Sequence, residues 1–132
     1  MAIYLSCSLS LAQSKAVEPV TIGWIGSMTG PQQKWAAYEA AQIALEEINR
    51  QGGINGRPLR IIWEDGKGSG TAAAAAAQKL INVDHVKYIL GGHCTPESLA
   101  IAPIAERAGV VMRSPQNTLH ARGQHPSISK YQ

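Results

Sequence analysis

The stretch from Val20 to Asn49 constrains this chain more than any other. It reads VTIGWIGSMTG, then PQQKWAAYEAAQIALEEIN. Val20–Ile25 is a short, mostly apolar run with β-branched residues, the pattern of a buried strand. Gly26, Ser27, Thr29, Gly30 and Pro31 break it. Beyond the break, Ala37, Ala41, Ala44, Leu45 and Ile48 recur on one face at helical spacing, so a long helix follows. Strand, polar turn and long helix together open a parallel α/β sheet. In such sheets the loop at the carboxyl end of a strand faces the ligand crevice.

The rest of the chain repeats the unit. The first helix should stop at Gly52-Gly53, where glycine takes the left-handed C-cap conformation. Ile54–Pro58 is a turn marked by Asn55-Gly56. Leu59–Trp63 reads as the second strand, with Glu64 and Asp65 at its carboxyl end. Gly66–Thr71 is a glycine-rich loop before a second helix that holds Ala72–Ala77 and ends near Asn82. Val86–Leu90 is the third strand, and Gly91–Thr95 is a loop. A third helix starts at Pro96 with Thr95 as its N-cap, because proline's missing N–H costs nothing in the first turn. Pro103 should bend this helix or change its register, and Gly109 ends it. Val110–Met112 is a short fourth strand, after which the chain turns polar and irregular. The pattern β-α-β-α-β-α-β predicts an α/β fold: a parallel sheet with helices on both faces, right-handed crossovers and strand order 2-1-3-4. No helix or strand is predicted in the last stretch to close the sheet, so the chain reads as interrupted.

A chain of 132 residues fits one domain. Its net charge of +3 is weak and its basic residues are scattered, which argues against a nucleic-acid partner. No apolar run reaches the ~18–20 residues that span a bilayer. Ala2–Ala12 is nevertheless apolar and small, and Ser10-Leu11-Ala12 and Ser14-Lys15-Ala16 both fit a cleavage site. With no Lys or Arg before the run, it reads as a short or clipped secretory signal, or else as a disordered tail. The expected division is a signal or disordered segment over residues 1–19 and a folded part over 20–132. Cys7 and Cys94 are the only cysteines, and their count does not decide the redox compartment. Lipid attachment at Cys7 remains open, although Tyr4-Leu5-Ser6 matches the usual Leu-led signal poorly.

The motifs point to binding and away from catalysis. Lys67 precedes Gly68 and no lysine adjoins Thr71, so Gly66–Thr71 is a flexible loop and not a phosphate loop. Gly23–Gly30 does not match G-x-G-x-x-G, so no dinucleotide or other cofactor is expected. His93, Cys94 and Glu97 lack a second ligand pair at suitable spacing, so no metal is expected. Cys94 before a helix N-terminus invites a reactive-thiol reading, but a buried structural cysteine is the better one. Thr95 is the most informative polar residue. Either its hydroxyl merely caps the helix, or Gly91–Thr95 and the unpaired N–H groups of the third helix form a carboxylate site. The loop Ser114–Thr118 lies beside it in a parallel sheet and adds hydroxyls and an amide.

As a set, IGSMTGP, ALEEINRQGGINGRPL, IIWEDGKGS, YILGGHCTPESLAIAPIAERAGVVMRSP and QNT resemble the leucine/isoleucine/valine-type periplasmic binding proteins of ABC importers. The resemblance covers about residues 20–120. It implies an incomplete first lobe of a two-lobed fold that closes on an amino acid or similar small polar ligand. It further implies a non-enzymatic, periplasmic or secreted protein that partners an inner-membrane ABC permease. Thr95 would bind the ligand α-carboxylate, and Gln116, Asn117 and Thr118 would bind the carboxylate and α-amino group. Trp35 would line the side-chain pocket, and Gly26 and Gly30 would shape the first loop. The family often pairs the cysteine at position 94 with one just after the second strand, where this chain has Glu64-Asp65-Gly66-Lys67. Gln116 and Asn117 replace the usual small residues after Ser-Pro, which bears on the ligand class. A ligand-sensing regulatory domain of the same fold, and a degenerate remnant without binding activity, remain as alternatives.

Overall fold

Alternation along the first strand sorts the molecule into two faces. The computed structural model describes residues 17–115. Strand β1 (Val20–Gly26) is followed by helix α1 (Ala37–Arg50), β2 (Leu59–Asp65), α2 (Gly70–Asn82), β3 (Tyr88–Gly91), α3 (Thr95–Arg107) and β4 (Val111–Arg113). The strands form one parallel sheet in the expected order β2-β1-β3-β4. Moving outward from β1 in both directions with right-handed crossovers places α1 on one face and α2 and α3 on the other.

The face under α2 and α3 holds the core. Ile25, Leu80, Ile89 and Ile101 are fully buried there with the small residues Ala73, Ala77 and Ala105. The alanine run of α2 lets the helix lie close to the sheet, and Leu80 fills the space over Gly23. Lys79 ties the end of α2 to Glu64 on β2 and to Asp84 in the following turn.

On the opposite face, Trp24 and Trp63 are neighbours in register and meet Tyr38 of α1. The two tryptophan rings are 5.3 Å apart and the Tyr38–Trp63 rings 4.9 Å apart, both edge to face. Such pairs add about 0.5–1.5 kcal/mol each beyond the area they bury. Asn49 fixes the far end of α1: its side chain donates to the Leu59 carbonyl at 2.9 Å and accepts from the Leu59 N–H at 2.7 Å.

Three local expectations need correction. The second helix begins at Gly70, because the Ser69 hydroxyl caps it through the Ala72 N–H. The third begins at Thr95, and its N-cap is Cys94, because the Ser98 N–H bonds back to the Cys94 carbonyl. Pro103 lies inside that helix, where the sequence puts it, and leaves the Leu99 carbonyl without its usual donor. On α1, Ala44 is exposed and no residue is fully buried, since the helix covers only the β1–β2 side of its face. The residues proposed as a signal, including Cys7, lie outside the described part up to position 16.

Candidate functional site at the carboxyl edge of the sheet

Four loops leave the strands at one edge. They start at Ser27, Gly66, Gly92 and Ser114. The Gly66 N–H donates to the Gly26 carbonyl at 2.8 Å, and the Gly92 N–H to the Ile25 carbonyl at 2.9 Å, so the ladder runs into the loops. Gly91 makes this possible. Its φ of +139° is closed to most side chains, and a Cβ there would lie 1.9 Å from the Ile25 carbonyl oxygen.

Two carboxylates clasp the loops. Asp65 accepts the N–H groups of Met28 at 3.0 Å, Thr29 at 3.3 Å and Lys67 at 2.9 Å, and its other oxygen accepts the Thr29 hydroxyl. Partial burial pushes Asp65 upward, but these hydrogen bonds outweigh it and hold the carboxyl below the usual range. Glu97, in the first turn of α3, is 0% exposed. One of its oxygens accepts the Ser27 hydroxyl at 3.2 Å and the Gly68 N–H at 3.0 Å; the other accepts the His93 N–H at 2.8 Å. Beside it, the Ser98 and Ser114 hydroxyls approach the Gly92 carbonyl at 2.7 and 3.0 Å, which joins the end of β4 to the third loop.

The predicted site residues fare unequally. Thr95 stands exposed at the first position of α3, and its hydroxyl makes no hydrogen bond among the described residues. Of the two roles open for it, the capping one is corrected: the N-cap position belongs to Cys94, which makes no side-chain cap bond. Trp35 closes a 3-10 turn over Gln33–Trp35 in the first loop. In that loop Gly30 turns the chain at φ 88°. Gln116, Asn117 and Thr118 lie outside the described residues. Cys94 is buried and forms no disulfide among the described residues; burial first, and then the nearby Glu97 carboxylate, push its thiol up, away from the activated range. Among the described residues no group of three His, Cys, Asp or Glu could hold a metal ion. None of the described helices is long and apolar enough to cross a membrane.

Sequence reasoning missed the Glu97 clasp and the buried side-chain oxygen of Gln32, which has no partner among the described residues. An acidic residue in a helix's first turn was the available signal for Glu97. A separate open groove of about 520 Å³ lies on the α1 face, lined by Val20, Ile22, Tyr88, Leu90 and Val111 with Arg57 and Arg113. It is formed by the face of the sheet and lies apart from the loop edge.

A parallel α/β layer whose loops are pinned together at the carboxyl edge defines the class of fold. The comparisons with known proteins specify which. The family described as periplasmic binding protein matches residues 19–128, and the chain belongs to it. This is a family of solute-binding proteins and not of enzymes. The Leu/Ile/Val-binding protein of Escherichia coli K12 is 31% identical over 121 residues, covering 88% of this chain and 33% of the relative. The isoleucine complex of LivJ from Streptococcus pneumoniae superposes with a TM-score of 0.75 at 26% identity, over 86% of this chain and 32% of that one. The leucine-binding protein LivK of Thermotoga maritima gives a TM-score of 0.66 at 36% identity, over 73% and 27%. The chain thus spans about a third of the length of the curated relatives it matches.

Proposed function

We propose that this chain contributes to the substrate-binding component of an ABC transporter for branched-chain or other amino acids or small amides, with the ligand held between two lobes. The observation that carries the proposal is Thr95: an exposed, uncommitted hydroxyl at the start of α3, among loops already fixed by Asp65 and Glu97. The start of a helix favours a carboxylate, through unpaired N–H groups and the positive end of the dipole. The ligand α-carboxylate takes the Thr95 hydroxyl and N–H. Gln116, Asn117 and Thr118, which follow β4, reach the carboxylate and α-amino group, and Trp35 walls the side-chain pocket. Relatives named for binding leucine, isoleucine and valine support this ligand class, as does the isoleucine-bound structure. The partner would be an inner-membrane permease, and the location periplasmic or secreted.

A second reading has its own support. A solute-binding protein from Rhodopseudomonas palustris BisB5, 31% identical over 73% of this chain and 26% of its own, with a TM-score of 0.64, was solved with 3,4-dihydroxybenzoic acid. That ligand shares the carboxylate and lacks the α-amino group.

Titration of the labelled chain with L-leucine, L-isoleucine and 3,4-dihydroxybenzoate, followed by amide resonances, tests both. The expected response falls on Ser27–Trp35, Gly66–Ser69, Gly92–Thr95 and Gln116–Thr118, and Thr95→Ala weakens it about tenfold or more, as for a lost hydrogen bond to a charged group. Saturating shifts at the groove residues Tyr88 and Leu90 without shifts at Thr95 would overturn the proposal.

A further inference from the structure

We infer that Glu97 is the positioning residue of the crevice: one buried carboxylate holds the loops after β1, β2 and β3 in a single arrangement, so that a ligand meets a half-site already set. The inference deepens the binding function proposed above and rests on it for its consequence, though not for its geometry.

Three donors from three loops converge on this side chain: Ser27 hydroxyl, Gly68 N–H and His93 N–H. The two backbone donors use opposite oxygens. A carboxylate accepts at both, whereas a carboxamide accepts at one and presents N–H at the other. Glutamine, of the same shape, therefore cannot keep both bonds. The first turn of a helix is also where a carboxylate is electrostatically favoured. The chain accommodates the arrangement at Gly66, where a Cβ would lie 2.2 Å from the Glu97 oxygen. Asp65 differs. It joins only the first and second loops and leaves the third untouched. Glu97 alone of the two reaches His93, two residues before Thr95, and so sets where the Thr95 hydroxyl stands. Loops held in place before binding lose less conformational freedom when the ligand arrives.

The test is amide hydrogen exchange on the full labelled chain, with urea unfolding alongside. Wild type is compared with Glu97→Gln, with Gly66→Ala, which displaces the carboxylate without removing its charge, and with Asp65→Asn. In Glu97→Gln and Gly66→Ala, exchange at Gly68 and His93 should rise together by about tenfold or more, while amides within β1 and β2 stay within about twofold, the mark of a local opening. Asp65→Asn should raise Met28, Thr29 and Lys67 and leave His93 protected. If His93 stays protected in Glu97→Gln, or if exchange rises equally across the strands, the assignment is overturned; the second pattern would make Glu97 a general stabiliser of the fold. L-leucine titration of the same variants gives a separate answer. Weaker binding by Glu97→Gln at an unchanged urea midpoint agrees with positioning. A wild type that ignores leucine would count against the ligand proposal, and the exchange data would still decide the role of Glu97.

Discussion

Asp65 and Leu80 carry quite different shares of the fold, and single substitutions separate them. Asp65 is held below the usual carboxylate range by the Thr29 hydroxyl and three backbone N–H groups, which overcome the upward push of partial burial. A depressed folded value means that its stabilisation is fully present above the unfolded value of about 3.9 and fades as pH falls through the folded one. Asp65→Asn should therefore be less stable than wild type at neutral pH, and the gap should close on acidification below about pH 4. Urea midpoints measured across that range check this, and a gap independent of pH contradicts it. Leu80 is fully buried over Gly23. Leu80→Ala should cost about 2–5 kcal/mol at any pH, read from the same urea transitions. At this scale the sequence was only partly readable. Thr95 stood out by its place after a glycine-rich strand end. Glu97 did not, because its importance comes from Ser27 and Gly68, 70 and 29 residues away, which only the folded chain brings together.

The strands were legible because each is a short, mostly apolar run that stops at or just before a glycine or proline, and parallel pairing with right-handed crossovers leaves few orders for four of them. Helix starts were harder. Ser69 and Thr71 both fit as caps, as do Cys94 and Thr95, and adjacent backbone angles decide between them. The face of α1 was read from its periodicity, but periodicity cannot say how much sheet lies beneath, and Ala44 and Ile43 remain exposed. The element with least freedom is the end of β3. Gly91→Ala places a methyl group against the Ile25 carbonyl at a positive φ, so it should cost well over the roughly 1 kcal/mol typical of a surface glycine change. Gly52, also at positive φ but with open space around its Cβ position, is the control. If the two alanine variants unfold at the same urea concentration, the close approach of β3 to β1 is not what fixes this edge.

At the scale of the whole molecule, the proposed function makes the loop edge of the described residues one wall of a crevice. Ser27, Gly66, Gly92 and Ser114 open the loops at a single edge, and Thr95 faces outward from it. Ligand pockets that bind tightly surround most of their ligand's surface. A single wall leaves the ligand's far side in water, and the surface left unburied subtracts directly from affinity at about 1.4 kcal/mol per tenfold. The proposed function places the missing contacts on a second lobe, and closure of two lobes is the step that buries the ligand. Preorganisation by Glu97 and Asp65 reduces the ordering cost on this wall but does not replace contacts from the other. The 132-residue chain should therefore bind L-leucine or L-isoleucine far more weakly than micromolar, in the range that calorimetry reads only at millimolar ligand, and Thr95→Ala should remove even that. A micromolar dissociation constant for either amino acid would mean that one wall suffices, and the two-lobe reading of this site would have to be given up.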